Sequence, residues 1–278
     1  MHTLKTLPSD ATARRQCLRW LAAQGAICSI LGMAAHSQAQ PQAPTQTGDV
    51  ATLAALRPTL VPVGTYDPTA APRFGFRGSG FVVDDGRWVV TNFHVLPRAG
   101  EPEASLSLMV QAIRGRSGLE ARAATLVASD RTHDLALLRI EGEPLPAATL
   151  GSAELVPEGT PILLAGFPIG GALGFTPVMH RGMVASVTAI ALPAPTAQRL
   201  SARALAQLRE GAFDIYQLDA TAYPGNSGGP VVHAQTGEVL AVLNMVLVRG
   251  TRETALSSPT GISYAIPVRH VRALLQQR

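Results

Sequence analysis

Ser227 sits inside Gly225-Asn226-Ser227-Gly228-Gly229, and Pro230-Val231-Val232 follows directly. Flanking glycines let a backbone reach positive φ and come close to a bound molecule. A turn of this kind can aim successive N–H groups at one point, which is what holding an oxyanion requires. The same residues also suit a plain hairpin turn of a β protein. A nucleophilic serine needs a base for its proton and a third group to orient that base. His94, His133, His180, His233 and His270 are the candidate bases. His94 stands out because Trp88-Val89-Val90-Thr91-Asn92-Phe93-His94-Val95 runs an apolar strand into a Thr-Asn turn, putting the imidazole at a strand end. The alternative is an ordinary histidine with no chemical role. Asp134 opens Leu135-Ala136-Leu137-Leu138-Arg139-Ile140. A carboxylate heading so apolar a strand is partly buried and needs a partner. A histidine N–H would serve, although a turn aspartate fits the local pattern equally well. Asp130 and Asp219 compete for the role, and Asp219 lies close to Ser227 along the chain.

The elements that must position these residues are short and β-rich. From Leu56 onward, apolar runs recur at regular intervals between Gly, Pro and Asp. The first set is Leu60–Val63, Gly80–Val83, Trp88–Thr91, Leu106–Ala112, Ala123–Ala128 and Leu135–Ile140. After a Pro- and Gly-rich break at 143–159 come Pro161–Ala165, Gly182–Ile190, Phe213–Leu218, Pro230–His233, Val239–Val248 and Gly261–Ile266. Two sets of six strands predict an all-β fold of two small barrels or sandwiches. Helical patterns occur only at Ser201–Arg209, within a long Ala/Pro insertion, and at Val268–Gln277.

Composition narrows the partners. With 46% hydrophobic and 15% charged residues among 278, a sizeable core is expected and disorder is not. The formal charge of +4 comes largely from Lys5, Arg14, Arg15 and Arg19, which face the single acid Asp10 in the first 39 residues; without them it is +1. Such a near-neutral remainder offers nothing to nucleic acid or anionic membrane. Residues 1–39 read as an export signal: Arg14-Arg15, an apolar run from Trp20 to Ala35, then Ser37-Gln38-Ala39. The run is shorter than the roughly 20 residues a membrane span needs, and Gln24 and Ser29 interrupt it. The paired arginines resemble a twin-arginine signal. Periplasmic or extracellular residence is therefore expected. Cys17 and Cys28 both lie in this segment, leaving no disulfide, zinc–thiolate or cysteine nucleophile for the exported chain. Residues 40–55, rich in Gln, Pro, Thr and Ala, read as a linker, and 56–278 as the functional domain.

Taken together, Gly78-Ser79-Gly80-Phe81-Val82-Val83, Thr91-Asn92-Phe93-His94-Val95, Asp134-Leu135-Ala136-Leu137-Leu138 and Gly225-Asn226-Ser227-Gly228-Gly229-Pro230 resemble the trypsin-like serine endopeptidases. More specifically, they resemble the catalytic domain of bacterial high-temperature-requirement proteases. Weaker matches are Gly166-Phe167-Pro168-Ile169-Gly170 and Ile262-Ser263-Tyr264-Ala265-Ile266-Pro267. The resemblance implies two Greek-key six-stranded barrels (about 56–145 and 160–267), a closing helix at 268–277, and an active site in the cleft between the barrels. It also implies a Ser227–His94–Asp134 triad, an oxyanion hole from Gly225, Asn226 and Ser227, polypeptide substrates, and neither metal nor cofactor. A homo-oligomer is admitted. With about 50 residues after Ser227, no PDZ domain is expected. Thr221 stands where relatives that cleave after Lys or Arg hold an acid. With Ala222, Asn244, Met245 and Val246 it implies a pocket for small or medium aliphatic side chains.

Two other functions compete. Gly225-Asn226-Ser227-Gly228-Gly229 also fits the nucleophile elbow of α/β-hydrolases, but that elbow leads into a helix and precedes its acid and histidine. Here Pro230-Val231-Val232 reads as a strand, and too little chain remains for the missing units. A binding or chaperone-like protein that keeps the protease fold without useful turnover is the second.

Overall fold

The computed structural model describes residues 46–114, 118–168, 170, 174–190, 213–244 and 261–278. The export signal expected at 1–39 and the helix expected at Ser201–Arg209 lie outside them. A first closed barrel is built from β1 (Leu60–Tyr66), β2 (Phe74–Val83), β3 (Trp88–Asn92), β4 (Ser107–Arg114), β5 (Gly118–Asp130) and β6 (Leu135–Ile140), in the order β1-β2-β3-β6-β5-β4. The second comprises β7 (Pro161–Gly166), β8 (Val178–Ile190), β9 (Phe213–Asp219), β10 (Pro230–His233), β11 (Val239–Asn244) and β12 (Ile262–Pro267), in the order β10-β11-β12-β9-β8-β7. All pairings are antiparallel. In the first barrel β3 pairs with β6, so the chain leaves β3, crosses over and returns beside it; this is the Greek-key order. Each expected strand appears; β1, β2, β5 and β8 extend three or more residues beyond the apolar run that signals them, and the expected Val239–Val248 is described only as far as Asn244.

Strands with both faces buried read as near-continuous apolar runs. Side chains alternate between faces, and here each face has its own core. Ala136, Leu138 and Ile140 of β6 join Val61, Val63, Val82 and Val89 inside the first barrel. Leu135 and Leu137 turn the other way, to a second core shared with Leu60, Phe81, Val90, Leu163, Ala165, Ile215 and Ile266. The interior of the second barrel holds Ile162, Leu164, Tyr216, Leu218, Val231 and Leu243. An apolar layer between the barrels therefore fixes their relation.

Two helices complete the described fold. Helix α1 (Gln46–Leu56) begins within the stretch expected to be a linker. Its Ala- and Leu-rich second half favours helix, Leu56 enters the shared core, Thr52 Oγ1 donates to the Ala234 carbonyl at 3.2 Å, and Asp49 pairs with Arg181. Those tertiary contacts outweigh the linker-like composition. Helix α2 (Val268–Leu275) buries Val268, Val271 and Leu274 against the same shared core. No described helix is long and apolar enough to cross a membrane.

Candidate active site

Strand register brings His94 to Asp134. Asn92, the last residue of β3, pairs with Leu135, the first of β6. The chain past Asn92 makes a 3-10 turn over Phe93–Val95, and Asp134 lies one residue before β6. The two side chains meet although 40 residues separate them: His94 Nδ1 is 2.5 Å from Asp134 Oδ2, and the His94 N–H donates to Oδ1 at 2.9 Å. A carboxylate only accepts, so Nδ1 carries the proton and the Nε2 lone pair is left for another proton.

Asp134 adopts φ +53°, a left-handed conformation that costs a non-glycine residue energy unless the surroundings hold it. Its carbonyl accepts the Phe93 N–H and the Asn92 amide Nδ2, each at 3.0 Å. Asn244, from the end of β11 in the other barrel, donates its Nδ2 to Asp134 Oδ2 at 2.9 Å. Asn244 was expected to line a substrate pocket, and sequence reasoning missed this bond. Its only local signal is a polar residue ending the wholly buried run Val239–Leu243.

Ser227, 6% exposed, lies in the turn between β9 and β10. The preceding Tyr223-Pro224-Gly225-Asn226 forms a turn closed by the Asn226 N–H to the Tyr223 carbonyl at 3.0 Å, with Gly225 at φ +103°. Proline second and a positive-φ glycine third mark a type II turn. The Asn226 N–H, expected in the oxyanion hole, is used to close it. Among the described residues, the N–H groups of Gly225 and Ser227 donate to no other protein group. The Asn226 amide is fully buried, and neither of its polar atoms has a hydrogen-bond partner among those residues.

Gly228 presses this turn onto the strands that deliver His94. A Cβ there would lie 2.2 Å from the Ser79 carbonyl oxygen, 2.4 Å from Thr91 Oγ1 and 3.1 Å from the Asn92 nitrogen, and φ is +86°. No other residue type fits. Residues 78–242 match the family model described as a trypsin-like peptidase domain. The chain belongs to that family.

Among trypsin-like relatives, it is 31% identical over 191 residues to a probable periplasmic serine endoprotease, DegP-like, of Pseudomonas putida (69% of this chain, 32% of the relative). It is 30% identical to another so described, of Hahella chejuensis (69% and 33%). The chain thus spans about a third of the length of these relatives. Among solved structures, a serine endoprotease from Yersinia pestis superposes with a TM-score of 0.57 at 22% identity, covering 82% of this chain and 65% of that one. Deg5 superposes with a TM-score of 0.58 at 22% identity, covering 84% and 95%.

Two of the remaining expected pocket residues, Thr221 and Ala222, are among those described. Ala222 is buried, and Thr221 helps line an open cavity of about 470 Å³ with Arg181, Gly182, Met183, Asp219 and Ala220. Met245 and Val246 lie outside the described residues. Asp219, the rival acid, is an exposed residue at the rim of that cavity. Asp130 is held by His133 instead, at 2.6 Å. The β-strand at Pro230–His233 replaces the helix that an α/β-hydrolase elbow requires.

Proposed function

We propose that this chain is an exported, periplasmic or extracellular serine endopeptidase that cleaves polypeptides through Ser227, His94 and Asp134. Ser227 Oγ attacks the scissile carbonyl while His94 Nε2 takes its proton, forming the tetrahedral intermediate. His94 then protonates the leaving amine as the C–N bond breaks, giving an acyl-enzyme; water attacks its carbonyl while His94 takes the water proton, and His94 returns a proton to Ser227 Oγ as the ester bond breaks. Asp134 fixes the tautomer of His94 and stabilises the imidazolium. The N–H groups of Gly225 and Ser227 receive the oxyanion, each donor worth about 3–4 kcal/mol in the transition state. The observation that carries this reading is the His94 Nδ1–Asp134 bond, which leaves Nε2 basic in a chain whose Ser227 turn packs on the same strand end.

Serine-directed fluorophosphonate labelling tests it. Wild type is expected to be labelled covalently and the Ser227→Ala variant not at all. An unlabelled wild type would favour a protease-fold binding protein. Thr221 and Ala222 carry no charge to pair with a basic side chain, which supports cleavage after small or medium aliphatic residues. Equal or better turnover of Lys or Arg substrates would overturn that preference.

A further inference from the structure

Ser79, on β2 of the first barrel, is fully buried, yet all of its polar groups are engaged. Its N–H donates to the Ser227 carbonyl at 2.8 Å. Its hydroxyl donates to the Gly225 carbonyl at 2.6 Å and accepts the Phe167 N–H of the second barrel at 3.0 Å. Its own carbonyl accepts the Thr91 hydroxyl at 2.7 Å. Because Phe167 supplies a proton to Oγ, the hydroxyl proton is directed at Gly225.

Peptide groups are planar, so holding either end of one fixes the direction of the other. The Gly225–Asn226 plane is held at its carbonyl by Ser79 Oγ and at its N–H by Tyr223. The Ser227–Gly228 plane is held at its carbonyl by the Ser79 N–H and at its N–H by the Leu243 carbonyl, 3.0 Å away. Between them lies the Asn226–Ser227 plane, whose carbonyl accepts the Gly229 N–H at 2.9 Å and whose other end is the Ser227 N–H. One residue of the opposite barrel thus grips the planes on both sides of the proposed oxyanion donor.

We infer that Ser79 is a positioning residue that sets the oxyanion hole: its hydroxyl and N–H form a two-point clamp across the barrel interface that keeps the Ser227 N–H aimed at the reacting oxygen. The clamp rests on the proposed endopeptidase reading. It acts on the transition state, where charge reaches the oxygen, and hardly on ground-state binding.

The test compares full-length wild type with Ser79→Ala, which removes the hydroxyl clamp and leaves the N–H bond. Expected are a kcat lowered by about tenfold to a hundredfold, somewhat less than the loss of a whole oxyanion donor, and a KM within about threefold. Affinity for a peptide boronate, which forms a tetrahedral adduct on serine, should fall by the same factor as kcat. The acid limb of the pH–rate profile should not move. Ser79→Cys keeps the volume with a weaker donor and is expected to lose about tenfold in kcat; it answers the question if Ser79→Ala does not fold. A folded variant with wild-type kcat and boronate affinity overturns the clamp, as does a loss confined to KM. If wild type itself neither reacts with fluorophosphonate nor turns over peptides, the endopeptidase reading falls and the clamp with it.

Discussion

His94 and His133 each hold an aspartate through Nδ1, at 2.5 and 2.6 Å, and the two aspartates, four residues apart, flank the turn from β5 to β6. Their exposures match: 18% and 21% for His94 and Asp134, 20% and 23% for His133 and Asp130. The partners around them differ. Strand register assembles the first pair over 40 residues, and Asn244 of the second barrel completes it. The second pair closes a local turn in which Asp130 Oδ1 also accepts the Thr132 and His133 N–H groups, each at 3.0 Å. The His133 ring is stacked on His270 at 3.7 Å, with Phe213 edge-on at 4.5 Å. Burial alone would raise the Asp130 pKa, but the hydrogen bonds and charge of His133 prevail and hold it below the usual range. A short histidine–carboxylate bond is therefore no signature of catalysis by itself. What the rest of the ring and the carboxylate meet is what distinguishes the base proposed for His94 from His133.

The contrast breaks most visibly in turnover. His94→Ala should lower kcat by about 10⁴–10⁶-fold, whereas His133→Ala should change it by less than about threefold. Steady-state kinetics on one peptide substrate decides this, and equal losses would erase the distinction. A smaller effect is expected from Asn244→Ala. It removes one of three donors to the Asp134 carboxylate and should cost about ten- to a hundredfold in kcat with little change in fold. Unchanged kinetics would mean that the two bonds from His94 suffice to hold Asp134. The smallest effect sharpens the other side. Burial first, then the nearby His133 and Arg269, push the pKa of His270 down to about 4. The unfolded chain takes up that proton near the ordinary value of about 6.5, before the folded one does. This contribution to stability is therefore complete above about pH 6.5 and declines as pH falls towards about 4. In His270→Phe, which keeps a ring in the stack, the drop in Tm between pH 7 and 5 should be shallower by a few degrees. Parallel curves would show that another group carries the acid sensitivity.

Much of this was legible along the chain, for reasons that are local. His94, Asp134 and Ser227 stand out as candidates because each lies near the edge of an apolar strand, but local pattern leaves each an alternative at least as good, and the likeness of their surrounding motifs to a family is what singles out the proposed trio. The strands are legible because buried faces demand apolar side chains at fixed intervals. The bonds from Asn244 to Asp134 and from Ser79 to Gly225 span 110 and 146 residues. Nothing in the local composition of either end encodes its partner. Helix α1 was hidden for a related reason: its composition suits a linker, and its order comes from Ala234, Arg181 and the shared core.

The apolar layer to which Leu135 and Leu137 contribute carries a consequence for how such a protein can change over time. Either barrel taken singly would display a face of leucine, isoleucine and phenylalanine to water, so neither is a portable module. Substitutions on that face are constrained by residues that the other barrel contributes. The two halves of the chain must drift together or not at all.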